Sequence, residues 1–165
     1  MSPKRRDITI RAAKIDDVSE MSVILAEILT TWGSDRARSP EHIRDSYIGH
    51  PDQISCVVAV NRSGEILGFQ SLKRAIEGNP YGVALGWGVI GTYVKQDIGR
   101  SGVGSALFAV TSQSARQNGM PKIDATIGES NAQALSYYEA MGFRTYRKKQ
   151  GAVCKCYMVA SGLKE

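Results

Sequence analysis

The chain has 165 residues, of which 42% are hydrophobic and 22% charged, with a formal net charge of +5. That length suits one domain with a sizeable core, and no apolar run approaches the roughly 20 residues that cross a bilayer. The charge is scattered, with part of it in Lys4-Arg5-Arg6, so it suits an anionic ligand as well as nucleic acid and alone decides neither.

Residues 1–6 read as a flexible tail with no secretory pattern, and one domain is expected over 1–165. "DITIRAA" (7–13) alternates as an opening strand, after which Asp16 or Asp17 caps a helix with Val18, Met21, Leu25 and Ile28 at helical spacing. A polar break, "TTWGSDRAR" (30–38), precedes Ser39-Pro40-Glu41, which starts a second helix with Ser as N-cap. "ISCVVAV" and "EILGFQSLKRA" flank the turn "NRSG" and form a hairpin. The loop "IEGNPYG" leads to "VALGWGVIGTYV" (83–94), a strand whose glycines predict a weak point or bulge between Gly86 and Gly91.

A glycine-rich turn then opens a helix with Val103, Ala106, Leu107 and Val110 on one face, closing near Asn118-Gly119. "KIDATI" is a strand, "NAQALSYYEAM" (131–141) a helix ended by Gly142, and "FRTYRKKQ" and "AVCKCYMVA" a final strand pair. The order is strand, two helices, three strands, helix, strand, helix, two strands. It implies a mixed α/β fold of about seven strands with helices on the sheet faces. Cys56, Cys154 and Cys156 lie on strand patterns and read as reduced thiols, which places the chain in the cytoplasm. His42 and His50 lack metal-ligand spacing to them, so no metal is expected.

The turn "QDIGRSGVGSALF" (96–108) points to an anion, because glycines allow close backbone approach and the first N–H groups of a helix have no intrahelical partner. Gly99 to Gly104 has P-loop spacing, but Ser105-Ala106 follows where Lys and Ser or Thr belong. A dinucleotide fingerprint places a third glycine where this chain has Leu107. The pattern instead resembles the pyrophosphate loop of the GNAT N-acetyltransferase superfamily, with Gly102 and Gly104 in place and Gly99 where that family usually has Gln or Arg. Asn131, Ala134, Tyr138 and the Gly142-Phe143 pair match the family's later signature, and residues 131, 134 and 138 share one helix face. "ITIRAAKIDDVSEM" and "VVAVNRSGEILGF" look like the family's first strand and helix and its second and third strands. Within the superfamily the chain looks most similar to the phosphinothricin acetyltransferase-like branch.

The resemblance implies a mostly antiparallel GNAT sheet and direct acetyl transfer from acetyl-CoA to the primary amine of a small amino-acid-like acceptor, of phosphinothricin or methionine sulfoximine type. It implies no metal, nucleic-acid or membrane partner, and a homodimer. By carry-over, the backbone of Thr92, Tyr93 and Val94 holds the pantetheine arm and polarises the thioester. The turn from Gly99 through Arg100, Ser101, Gly102, Val103 and Gly104 to Ser105 takes the pyrophosphate. Asn131 contacts the cofactor arm. Tyr138 faces the sulfur as hydrogen-bond donor or general acid, with Tyr137 as its understudy. The branch's general base is a Glu on the fourth strand, but that position is Val89, so Glu77 or Glu129 acting through water is the expected substitute. Trp32, Trp87 and Val89 are expected to wall the acceptor, and Arg36, Arg38 or Arg74 to grip its carboxylate. The cysteines lack a partnering base and are not expected to act as nucleophiles. Acetylation of protein or peptide amines, and a non-catalytic CoA-binding module, are the alternatives.

Overall fold

A computed structural model describes residues 7–98 and 102–159. Gly99, Arg100 and Ser101, three of the expected pyrophosphate contacts, lie outside the described residues, as does the stretch 1–6. The elements run β1 (Thr9–Ala12), α1 (Val18–Thr31), α2 (Pro40–Ile43), β2 (Gln53–Val60), β3 (Ile66–Arg74), β4 (Gly88–Val94), α3 (Val103–Gln117), β5 (Lys122–Gly128), α4 (Ala132–Met141), β6 (Arg144–Lys149) and β7 (Ala152–Met158). This is the order read from the sequence.

The strands form one seven-stranded sheet in the order β1-β2-β3-β4-β5-β7-β6, antiparallel throughout except for β4 and β5. Alternation sends Cys56, Val58 and Val60 of β2 into the core under α1, with Met21, Leu25 and Leu29. Val57 and Ala59 point the other way, against Val103 and Leu107 of α3. Covered faces explain why β2 reads as a continuous apolar run rather than an alternating one. Phe69, Leu25, Leu107 and Phe143 are fully buried, each worth about 1.5–3 kcal/mol of burial.

Local expectations met three corrections. Asp17 does not cap α1: its carboxylate accepts from Arg11 Nη1 and Nη2 at 2.8 and 3.0 Å and from the Lys14 N–H at 2.7 Å, within a 3-10 turn over Ile15–Asp17. Its preference for a guanidinium over a helix amide ties the end of β1 to the start of α1. The strand expected over 83–94 begins only at Gly88: the weak point lies at Gly86, whose φ of +88° places it in a turn before β4, and no bulge follows, the register with β3 running unbroken from Gly68↔Val94 to Arg74↔Gly88. Its glycines answer to crowding instead, since a Cβ on Gly88 would meet Leu72 Cδ1 at 2.8 Å and Met120 Sδ at 3.0 Å. Val110 is 40% exposed, and the buried stripe of α3 runs through Val103, Leu107, Phe108, Thr111 and Ala115. Two capping expectations held. Ser39 Oγ accepts the His42 N–H at 3.1 Å, although α2 spans only four residues before a π-helical turn over Arg44–Ile48. Asn61 Oδ1 accepts the N–H groups of Ser63 and Glu65 at 3.0 and 2.9 Å, closing the β2–β3 hairpin.

Candidate active site

β4 and β5 are registered at two pairs only, Gly88↔Ile123 and Val89↔Asp124, although β4 continues to Val94 and β5 to Gly128. Beyond Val89 the two parallel strands part, and the gap is a cleft of about 660 Å³ lined by Thr92, Val94, residues 102–105, Asn131 and residues 136–138. On the β3 side, the Lys95 N–H donates to Leu67 O at 2.9 Å and the Ala75 N–H to Trp87 O at 2.8 Å. Antiparallel alternation between those two bonds makes Tyr93, Gly91 and Val89 exchange hydrogen bonds with β3. The N–H and C=O groups of Thr92 and Val94 therefore point toward β5, which has moved away. Of the three backbone positions expected to hold a ligand, Thr92 and Val94 face the cleft, and the backbone of Tyr93 is engaged with Phe69.

The head of the cleft is the first turn of α3. Gly102, its N-cap, has φ +91°, a left-handed conformation that a side chain would strain. Gly104 answers to a different demand: an added Cβ would lie 2.6 Å from Tyr137 Cε1. Tyr137 donates its O–H to Gly104 O at 2.8 Å and accepts from Gln70 Nε2 at 3.0 Å. Tyr137 thereby clamps α4, β3 and the start of α3 while its side chain also lines the cleft. Burial pushes its phenol up to about 12, with the hydrogen bonds from Gln70 and Thr92 working against that rise.

Tyr138 Oη lies 2.7 Å from Thr92 Oγ1, which also accepts from Gln70 Nε2 at 2.9 Å. Tyr138 is 6% exposed and lines the cleft, and burial raises its phenol far above the ordinary tyrosine value. It stays protonated and remains a donor. Gln70 is fully buried, and among the described residues its Oε1 has no hydrogen-bond partner. The polar network under the cleft thus carries one orphaned acceptor. Asn131 lines the cleft while its Oδ1 caps α4 by accepting the Ala134 N–H at 3.1 Å.

The opposite face of β4, under α1, is cationic and aromatic. Tyr93 Oη accepts from Arg36 Nη2 and from Tyr47 Oη, both at 3.4 Å, and Lys73 Nζ sits 5.4 Å from the centre of the Tyr47 ring. Burial, then the charges of Arg36 and Lys73, hold His42 below its ordinary value, and burial likewise lowers Lys73. Sequence reading named Arg36 but missed Lys73, because a single lysine in a strand carries no signal of which face it takes. The other expected acceptor residues separate. Arg74 donates to Asn118 O at 3.0 Å, beyond the C-terminus of α3. Arg38 donates to Arg36 O of its own loop at 3.1 Å and to Thr30 Oγ1 of α1 at 3.3 Å. Trp32 lines the cleft beside Ile28, where Thr31 Oγ1 donates to Gln96 Oε1 at 2.9 Å across the lip. Trp87 packs on Tyr146 with ring centres 5.3 Å apart, and Val89 faces the α1 side of β4. Glu77 and Glu129 are exposed, Glu77 in the β3–β4 loop and Glu129 beyond the end of β5.

Among the described residues, no group of three or more His, Cys, Asp or Glu side chains is placed to hold a metal, and no helix is long and apolar enough to cross a membrane. The three cysteines are free thiols.

The geometry can be set beside known proteins. The chain superposes on yncA of Salmonella typhimurium, provisionally described as an acetyltransferase and solved with acetyl-CoA, with TM-score 0.76 and 19% identity over 95% of this chain and 96% of that one. A protein provisionally described as a phosphinothricin N-acetyltransferase gives TM-score 0.75 at 18% identity over 93% and 99%. PaiA N-acetyltransferase of Thermoplasma acidophilum, solved with coenzyme A, gives 0.70 at 16% over 92% and 98%. No curated protein matches the chain. The family model described as Acetyltransferase (GNAT) family matches residues 21–143, a span that holds the splayed strands, the α3 turn and the Asn131–Tyr138 helix, and the chain belongs to that family.

Proposed function

We propose that this chain is an acetyl-CoA-dependent N-acetyltransferase whose acceptor is a small, amino-acid-like primary amine. The observation that carries the reading is the opening between β4 and β5, where the backbone groups of Thr92 and Val94 that face β5 have no strand partner among the described residues, beside the Thr92–Tyr138 contact. The residues fit the cosubstrate: an extended amide-bearing arm pairs with an open strand edge, and the α3 N-terminus with its left-handed Gly102 suits a diphosphate. The orphaned Gln70 Oε1 adds an unspent acceptor to the network beneath the cleft.

Acetyl-CoA supplies an activated acyl group on a thiol leaving group. The chain's own part is to aim the Thr92 and Val94 N–H groups at the cleft, where a developing oxyanion meets fixed donors. Tyr138, neutral throughout, offers its O–H to a departing thiolate and draws on Thr92 and Gln70 for position. Asn131 offers its amide N–H₂ to the cleft, since the cap uses only its oxygen. On the other face, Arg36 and Lys73 present positive charge that a carboxylate-bearing acceptor neutralises, which favours an amino acid over a simple amine.

A thiol-release assay tests this over amino acids, L-methionine sulfoximine, phosphinothricin, polyamines, aminoglycosides, and peptides with free N-termini or lysines. Amino-acid-like compounds should be turned over best, and their carboxamides about 10–100-fold less well, the worth of a charged hydrogen bond. Preference for peptides would replace the acceptor class, and CoA binding without turnover on any amine would leave a binding module.

A further inference from the structure

β4 carries no carboxylate at the position where the resemblance places one, and the adjoining strand does. Asp124 is the register partner of Val89 at the last pair before β4 and β5 separate, so it stands at the apex of the opening. Ile123, Ala125 and Ile127 of β5 point into the core under α3 and α4. Alternation therefore sends Asp124 to the other face, the face on which Val89, Lys73 and Tyr93 lie. We propose that Asp124, acting through the phenol of Tyr146, is the proton acceptor for the acceptor substrate's ammonium group, in place of a fourth-strand glutamate. This rests on the acetyl-transfer reading above.

Asp124 is fully buried and its hydrogen-bond partner Tyr146 is 39% exposed, so the proposed path takes the carboxylate's proton through the phenol. Tyr146 Oη donates to Asp124 Oδ2 at 2.6 Å, and Thr126 Oγ1 donates to Oδ1 at 2.8 Å. Among the described residues no lysine or arginine forms an ion pair with Asp124. A buried carboxylate with two hydroxyl partners, with the charges of Arg147 and Lys149 acting on it only from beyond ion-pair distance, stabilises a cation brought close to it, and the reaction brings one. Trp87 holds the Tyr146 ring from one side, and the Arg147 guanidinium lies 5.7 Å from its centre.

The ionisable groups around the Asp124–Tyr146 pair are Arg147 and Lys149 of β6, Cys154 and Cys156 of β7, Tyr138 of α4 and, two residues before Asp124 on the same face of β5, Lys122, whose Nζ lies 5.1 Å from the centre of the Trp87 ring. On this face β4 contributes Val89, Gly91 and Tyr93, and β3 contributes Lys73, the register partner of Val89. Burial is the largest influence and holds Asp124 above the ordinary carboxylate range, against the hydrogen bonds of Tyr146 and Thr126. That direction suits a base working near neutral pH. The charge of Asp124 is also among the influences that raise Tyr138, which places the two groups within electrostatic reach across the apex. Exposed Glu77 and Glu129 have no comparable setting.

In the step itself, an ammonium N–H bond breaks as its proton passes to Tyr146 Oη, while the Tyr146 proton passes to Asp124 Oδ2. One N–H and one O–H bond are lost and two O–H bonds are made, so the positive charge on nitrogen and the negative charge on the carboxylate vanish together. The nitrogen lone pair is freed for acyl transfer. On acyl transfer the C–S bond breaks, the nitrogen loses a second proton and the departing thiolate gains one; the amide product is not basic, and the proton held by Asp124 returns to water by the same path.

Asp124→Asn keeps the side chain's shape and an acceptor for Tyr146, and Tyr146→Phe breaks the path. With L-methionine sulfoximine as acceptor and saturating acetyl-CoA, kcat/KM of Asp124→Asn should fall about 10²–10⁴-fold near neutral pH. The deficit should narrow as pH rises toward the amine's own pKa, with the CoA dissociation constant, measured by calorimetry, unchanged. A pH profile of unaltered shape, or CoA affinity falling in step with rate, would overturn the inference. Should the wild type not acetylate L-methionine sulfoximine, the acceptor reading fails, and a second readout decides this one. In protein carrying 13C at aspartate Cγ, n-butylammonium chloride should shift the Asp124 signal, assigned by its loss in Asp124→Asn, and lower its midpoint. No shift would overturn it.

Discussion

Replacing Gly104 with alanine separates two explanations of that glycine, backbone freedom and room for Tyr137. Gly104 lies in the first turn of α3, and the new Cβ would sit 2.6 Å from Cε1 and 3.2 Å from Cδ1 and Cζ of Tyr137. The ring cannot swing aside without losing the bonds to Gly104 O and Gln70 at 2.8 and 3.0 Å. Overpacking of this kind costs about 1–3 kcal/mol, offset by up to ~1 kcal/mol from the better helix propensity of alanine. The expected net loss is ~0–2 kcal/mol, or about 2–4 °C in Tm per kcal/mol for a domain of this size. In a Tyr137→Ala background the obstruction is gone, and the same substitution should be neutral or stabilising by up to ~1 kcal/mol. Urea denaturation of the four proteins measures the coupling, expected at about 1–3 kcal/mol. A coupling within ~0.5 kcal/mol of zero would refute the packing explanation.

Three further outcomes follow from the site and its supports. Tyr138→Phe should lower turnover about 10²-fold or more while CoA affinity persists and stability falls by ~1 kcal/mol, because Thr92 retains Gln70; unchanged turnover in a thiol-release assay would remove the phenol from the reaction. Lys73→Met should raise KM for L-methionine sulfoximine about 10-fold or more and leave its carboxamide unaffected, which steady-state kinetics on the pair will show. The hydrogen bonds from Arg11 hold the Asp17 carboxyl below its ordinary value, so its stabilisation is complete above an unfolded pKa of about 3.9 and fades as pH falls through the lower folded value. Urea denaturation over an acid series should show Asp17→Asn less stable than wild type at neutral pH, with the difference closing in acid.

The sheet and helix order was legible because periodicity, caps and turn residues agree with one another along most of the chain. Met21, Leu25 and Ile28 recur at the spacing of a buried helix face, and Ser39, Asn61 and Gly142 punctuate where their chemistry predicts. The corrections come from tertiary partners that a local pattern does not name. Asp17 has the right residue type for a cap, but Arg11 arrives from β1 and takes both oxygens. Gly88 looked like a flaw in a strand, and its neighbours Leu72 and Met120 come from β3 and from the approach to β5. The start of α3 at Gly102 and the α4 helix with its Asn131 cap and Gly142 stop were readable since each is contiguous. The face we propose for the acceptor was not, because Lys73, Val89 and Asp124 sit on three strands and meet only through register.

Amide hydrogen exchange followed residue by residue in NMR spectra, with and without acetyl-CoA, addresses the parted strands most directly. The N–H groups of Thr92 and Val94, which the sheet leaves unpaired, should become protected on addition of acetyl-CoA together with those of residues 103–105, while Tyr93, already bonded to β3, changes little. Saturation with acetyl-CoA that leaves Thr92 and Val94 exchanging at their free rates would contradict the placement of the cosubstrate between β4 and β5.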